Sequence, residues 1–519
     1  MNRIKTSVSA LLIIVMLALA ACSSGSGSSG GASSDSNAPQ SSADGGSGND
    51  AAVQPEKKSI EIVLFNGGRK YPDGMDENNN PYIDYIRENT NLDIKVKLPP
   101  ADGYQDALNV IMASGTLPDM IQTLDPSWFV NYVKQKALQP LNEYIDKYGP
   151  DLKKNIPEEA WQAVTIDGNI YAIPSMNVVP GNEIMYARKD WLDRLGLEPP
   201  RTLEEYREVM RAFTFDDPDG NGQDDTFGLI LGENMWRMAP IAGAFGIQRQ
   251  MWTERDGQLV YSSILPEMKE VLAFLAELYK DGILDPEWPL NKAANLDEKV
   301  ASGKVGLYSA MWYDTRGPIL TSKNNDPNAV WIPLEFPIGP QGKQGTLGHG
   351  YTSGYNVVPA TSKNADAVVR MLNFMIGEGY RTLLLGFENE VWSMQDGKVV
   401  TNFEEHNKHI YRQTLQEVVR PYNSQAERDR LDSLGLEFNL NDNLDRIAAV
   451  AIRDAYLGVP TPAMGKYKAD LNKLENETFT KIIVGHSPID EFDKFVEEWK
   501  RKGGDEITRE VNEWYASRK

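Results

Sequence analysis

Apolar positions recur along this chain at two intervals, and the order in which the intervals follow one another predicts its architecture. Ser59 to Phe65 is β-branched and apolar and stops at Asn66-Gly67-Gly68, as a strand does. Pro81 to Asn89 places Tyr82, Tyr85 and Ile86 at helical spacing. Leu92 to Val96 alternates as a strand, Tyr104 to Ala113 is helical, and Asp119 to Gln122 is a short strand. Strand, helix, strand, helix, strand predicts parallel pairing through crossover helices. A helix over Pro140 to Tyr148 follows, then a hairpin over Val164 to Pro174, turned by Asp167-Gly168.

From Ile184 the pattern changes. Ile184 to Arg188 reads as a strand and Trp191 to Leu195 as a helix stopped by Gly196. Thr202-Leu203-Glu204-Glu205 is a capping box opening a helix that runs to about Phe213. Phe227 to Leu231 is expected to be a strand, and Asp256-Gly257 a hairpin turn. Pro266 to Lys280 is amphipathic, with Met268, Val271, Leu272, Leu275 and Leu278 on one face. Lys304 to Tyr308 and Gly354 to Pro359 read as strands, with a Gly- and Pro-rich loop between them. Helices are expected from Asp366 onward, the last beginning at Ser487-Pro488 and Asp505.

The N-terminus differs from all of this. Arg3 and Lys5 precede an unbroken apolar run from Ala10 to Ala18 and then small residues. This is a secretory signal, too short to span a bilayer comfortably. Leu19-Ala20-Ala21-Cys22 resembles the lipobox of bacterial lipoproteins. The resemblance implies a signal peptide over 1–21, cleavage before Cys22, a diacylglycerol on its sulfur and an acylated new N-terminus. Ser23 to Pro55 is Gly/Ser-rich and cannot bury enough surface to offset its ordering entropy. The segment 22–57 is therefore expected to tether the fold, spanning roughly 30 Å root-mean-square.

Charge narrows the partners. The chain of 519 residues carries a net charge of −21. Without Arg3 and Lys5, 53 basic residues become 51 against 74 acidic ones, or −23. That argues against nucleic acid and anionic headgroups as direct partners. Cys22 is the only cysteine, so its acylation leaves no thiol for disulfides, zinc or catalysis.

Several soft motifs, taken in order, carry a resemblance. They are Gly115-Thr116-Leu117-Pro118-Asp119, Asp167 to Pro174, Ile184 to Leu197, Thr202 to Tyr206, Gly303 to Gly306, Tyr355 to Phe374 and Glu491 to Tyr515. In this order they resemble an extracellular solute-binding protein of a bacterial ABC importer, of the lipoprotein group with oligosaccharide- and alginate-binding members. The resemblance implies an α/β, helix-rich, two-lobed fold, with ligand held between lobes joined by crossing strands. Ile184 to Arg188 and Gly354 to Val358 are the expected crossings. The expected partition is 58–186 in lobe one, 187–353 in lobe two, 354–420 back in lobe one, and 421–519 as C-terminal helices mostly on lobe two.

Three groups of residues are candidates for chemistry. Asp217, Asp219, Asn221, Gln223 and Asp225 place oxygens at positions 1, 3, 5, 7 and 9 of a loop with Gly222 at position 6. This matches the first part of an EF-hand and predicts a structural Ca²⁺. Gly228 stands where the bidentate Glu would be. The resemblance adds that alginate-binding members have a similar loop. The second group is aromatic: Trp312 first, in the position where family members stack a sugar, then Trp236, Trp128, Tyr313 and Tyr351, with Trp252 and Trp392 behind them. Sugar rings stack on aromatic planes and need polar groups at the rim. Asn66, Asp125, Asn234, Asp314 and Arg316 are the rim candidates. The third group is His406 and His409 beside Glu404 and Glu405, read as a solvated helix end because no third spaced ligand accompanies them.

No catalytic motif follows a strand. The reading is a lipid-anchored extracellular receptor, not an enzyme and expected to act as a monomer, that delivers an oligosaccharide to the membrane subunits of an ABC permease. A surface glycosidase or polysaccharide lyase, a peptide-binding protein and a sensory binding lipoprotein are the alternatives.

Overall fold

Lys58–Val63 opens a five-stranded sheet whose order is Leu92–Lys97, Lys58–Val63, Met120–Thr123, Thr352–Val357, Ala172–Met176. The first three strands are parallel, and Thr352–Val357 runs antiparallel to both neighbours. The computed structural model describes residues 57–518. The apolar run, Cys22 and the Gly/Ser-rich segment as far as Glu56 lie outside the described residues.

Helices cover the sheet because their apolar stripes need a partner. Tyr82, Ile83 and Ile86 of Pro81–Thr90 are buried against Ile60, Ile62 and Ile94. Asn80 caps that helix through its side chain, and Pro81 opens it. Val368, Val369 and Leu372 of Ala365–Ile376 join the same core.

A second sheet has Glu183–Arg188 at its centre, antiparallel to Leu307–Met311 and Trp331–Pro333. Its core takes Trp191, Phe213, Leu272 and Leu275, and also Phe479 and Trp499 from the helices Pro462–Ile483 and Glu491–Trp499. The capping box at Thr202 and Glu205 forms with both bonds present.

The structure moves several predicted features. Glu183–Arg188 and Thr352–Val357 each pair on both sides within one sheet, so neither crosses between lobes. The chain crosses instead at 177–182 and 346–351. These segments lie side by side: Asn177 N–H donates to the Tyr351 carbonyl at 2.7 Å and His349 N–H to the Pro180 carbonyl at 2.8 Å. Ala451–Ile452, which follows a helix packed on the second lobe, pairs with Thr346–Leu347 beside them.

Phe227 to Leu231 is not a strand; it makes single bridges, Phe227 to Val305 and Leu229 to Leu284. Gly228 there presses on the helix Leu203–Phe215, where a Cβ would lie 1.9 Å from the Met210 carbonyl oxygen. The strand predicted at Lys304 to Tyr308 runs over Leu307–Met311, so Trp312 follows it directly. A hairpin, Trp392–Gln395 with Lys398–Thr401, interrupts the helical C-terminal half.

Candidate functional site

Beside the crossing segments, the second lobe presents a lip built from residues 232–238 and 312–314. Asn234, Met235 and Arg237 all have left-handed backbones, with φ of 58°, 60° and 77°. Each such non-glycine conformation costs free energy and persists only where its surroundings enforce it. Arg237 supplies the enforcement. Its guanidinium donates to the Ser309 carbonyl at 3.1 Å and to Asp314 Oδ2 at 3.2 Å, and lies 4.5 Å from the Trp236 ring centre. Asp314 also accepts from Met311 N–H at 2.8 Å and Tyr308 O–H at 3.2 Å. Glu183 accepts from Ser309 O–H at 2.8 Å and Ala239 N–H at 3.1 Å.

Burial pushes the carboxyls of Glu183 and Asp314 up, and Arg237 pulls both back. The guanidinium therefore serves two buried acids and backs one indole. Its Nε has no hydrogen-bond partner among the described residues.

Two cavities flank this lip. One of about 530 Å³ is lined by Asn234, Trp236, Arg237, Arg249, Gln250 and Lys292, with Leu347 of a crossing segment at its edge. The other, about 300 Å³, is lined by Trp312, Pro180, Tyr422, Arg428, Asn441 and Asp445. Trp312 is pinned at its backbone: its N–H donates to the Asn182 carbonyl at 2.8 Å, and its carbonyl accepts from Asn443 at 2.8 Å. Tyr313 stands edge-on to Trp312 at 5.4 Å and is 47% exposed. A third cavity of about 220 Å³ joins Pro126 and Tyr355 of the first lobe to Tyr456, Asp454 and Lys468. Gln250 lines both the first and the third.

The other sequence candidates lie elsewhere or are occupied. Asp314 is 2% exposed and spent on Arg237, so it braces the lip instead of forming the rim. Trp128 is 4% exposed in the first lobe's core, its N–H donating to Asn109 at 3.0 Å; the apolar face of its helix demands that place. Trp252 and Trp392 are also buried. Asn66 closes its own turn, accepting from Gly68 N–H and donating to the Arg69 carbonyl. Asp125 caps the helix Pro126–Lys134 through Ser127 N–H and lies beside Tyr355. Tyr351, in a crossing segment, lies 5.2 Å beneath the Arg453 guanidinium. Arg316 is exposed at the end of the lip. Arg237, Arg249, Gln250 and Asp454 were not singled out by sequence. The one local signal for Arg237 is its place after Trp236.

In the acidic loop, Asp219 and Asp225 both bond to the Asn221 side chain, at 2.8 Å and 3.3 Å, and Asp217 accepts from Gly222 N–H at 3.2 Å. Partial burial raises the Asp219 carboxyl, and the neighbouring Asp217 and Asp225 add to it. Crowded carboxylates of this kind fit a cation. Lys304 pairs with Asp225. The Met210 contact at Gly228 leaves no room for any side chain at position 12.

Against known proteins, residues 72–382 match the family model described as bacterial extracellular solute-binding protein. The chain belongs to that family. It is a binding protein of the two-lobed fold. It is 27% identical over 496 residues to the polygalacturonan/rhamnogalacturonan-binding protein YtcQ of Bacillus subtilis (strain 168), covering 92% of this chain and 95% of that one. Its fold is similar to an HMO-binding, ABC-transporter-associated solute-binding protein from Bifidobacterium longum infantis ATCC 15697. That match has a TM-score of 0.69 at 16% identity, over 89% of this chain and 99% of that one. It is similar also to the alginate-binding protein AlgQ2 without calcium ion, with a TM-score of 0.64 at 18% identity over 89% and 99%.

Proposed function

We propose that this protein captures an oligosaccharide between its lobes outside the cell and hands it to the membrane subunits of an ABC importer, performing no chemistry on it. The observation that carries the reading is the lip itself. Trp236 and Trp312 are half-buried, on braced backbone, with cavities on either side. Fixed aromatic planes with polar groups at their edge are what a sugar ring requires. Arg249, Gln250, Asn234 and Lys292 offer such groups at one cavity, and Asn441 and Arg428 at the other. Tyr313 and Tyr351 extend the aromatic surface.

The relative's name makes fragments of polygalacturonan and rhamnogalacturonan the first ligands to test. Lobe closure about 177–182 and 346–351 would couple capture to delivery. With the crossings at 177–182 and 346–351, lobe one in this reading holds 58–176 and 352–420, lobe two 183–345 with most of 421–519. A diacylglycerol on Cys22 would keep the receptor at the membrane. Among the described residues no helix is long and apolar enough to cross one.

Asp217, Asp219, Asn221 and Asp225, with the Gln223 carbonyl, would hold a structural Ca²⁺. The ion would supply positive charge to the crowded acids and fix the turn between the helix Leu203–Phe215 and the segment at Phe227.

A thermal-shift screen of oligosaccharides and peptides tests the ligand class, since a ligand specific to the folded form raises its stability. An oligosaccharide is expected to shift the midpoint, with no product released on prolonged incubation. Sustained release of shorter sugars would instead establish a hydrolase or lyase.

A further inference from the structure

His409 follows the short helix Phe403–Lys408, against the core of the first lobe. The Tyr82 hydroxyl lies 2.8 Å from His409 Nδ1, and Tyr82 is fully buried. The histidine is 9% exposed, so its ring is held in one orientation. Its other nitrogen, Nε2, faces two carboxylates: Glu390 Oε1 at 3.5 Å and Glu405 Oε2 at 4.0 Å. Both gaps are too wide for good hydrogen bonds. The three donor atoms all lie within 4.8 Å of one another.

We propose that His409 Nε2, Glu390 and Glu405 bind one divalent transition-metal ion of the zinc type, tying the loop at Glu390 to the turn after Phe403–Lys408. One imidazole and two carboxylates suit zinc and its neighbours better than calcium, which takes oxygen alone. Bonds of about 2.0–2.2 Å would place the donors about 3.3 Å apart, so the cluster closes by up to about 1.5 Å. Glu390 is exposed on its loop and free to make that shift.

The hydrogen bonds around the cluster favour a metal over a plain ion pair. Lys408 takes Glu405 Oε1 at 2.8 Å and leaves Oε2 for the centre. With its proton on Nδ1, the ring donates to the Tyr82 oxygen and presents its lone pair at Nε2, the arrangement metal-bound histidines use. A cavity of about 500 Å³, lined by Tyr71, Met75, His409 and Tyr411, opens beside the ring and gives water access to the remaining positions. The site lies on the other lobe from the acidic loop and rests on different ligands.

Titration of tag-free, full-length protein with Co²⁺ and Zn²⁺, in excess Ca²⁺ to fill the acidic loop, tests this. One equivalent of Co²⁺ should give visible d–d absorption that Zn²⁺ abolishes. Glu390→Gln, an exposed change, should weaken binding at least about tenfold while leaving the circular dichroism and thermal midpoint of the metal-free protein unchanged. Tyr82→Phe should weaken it about tenfold through the ring's orientation. Absence of a one-to-one Co²⁺ signal, or a signal unaltered by Glu390→Gln, would overturn the proposal and leave an ion-pair cluster only.

Discussion

Replacing Arg237 with alanine would strand Asp314 and Glu183, both buried, without their shared cation. Breaking a buried pair in this way costs about 3–5 kcal/mol. Urea denaturation should show a loss of that size, and a loss under 1 kcal/mol would mean that Arg237 braces nothing. Asp454 makes the stability depend on pH. Burial raises its carboxyl to about 6, although Oδ1 accepts from the N–H groups of Trp252 and Tyr456. The folded state therefore holds this proton more tightly than the unfolded chain does. Its contribution to stability is full below pH 4 and is lost as pH rises through 6, by about 3 kcal/mol. Asn at 454 keeps Oδ1 as the acceptor of both bonds and cannot ionise. Asp454→Asn should thus gain stability relative to the parent between pH 4 and 7; parallel stability curves would contradict the assignment. At this scale the sequence exposes aromatic residues but not their surroundings. Trp236 and Trp128 look alike in the chain, yet one backs onto a cavity and the other fills a core. Glu390 lies 15 and 19 positions before Glu405 and His409, so no local spacing could pair them.

Elements were legible wherever period and punctuation agreed. Tyr104–Ala113 and Pro266–Lys280 run as their apolar spacing predicts, and Asp-Gly turns mark the hairpins at 167–168 and 256–257. Phe227 to Leu231 misleads because β-propensity measures fit to a pleated surface, and here the neighbour is a helix. The crossings escaped notice because they are short and lack an apolar period. Gly181 is the crossing residue with least freedom: a Cβ there would lie 2.4 Å from the Leu347 carbonyl oxygen and 2.9 Å from Ile447. Gly181→Val should separate the two passes, lowering stability by about 1–3 kcal/mol and weakening ligand capture. Unchanged melting and unchanged binding would show that the passes need not touch. The acidic loop makes a parallel prediction. Ca²⁺ should raise the thermal midpoint of the parent chain and fail to do so for Asp217→Asn combined with Asp219→Asn. Equal shifts in both would move the ion elsewhere.

For the molecule as a whole, family and fold were readable because order and spacing survive where single motifs blur. The ligand was not, since one fold hosts many sites and the lip is assembled from segments some 75 residues apart. An acidic receptor can still bind an acidic sugar if its cations are local, and Arg249, Lys292, Arg428 and Lys468 line the three cavities. The lip beside the crossings is the part of the molecule proposed to hold the oligosaccharide. Isothermal titration of galacturonan and rhamnogalacturonan oligosaccharides into the parent protein and Trp312→Ala tests this role most directly. The parent should bind one-to-one, and the variant at least about tenfold more weakly. Binding of the same affinity in both, with the variant fully folded, would contradict it.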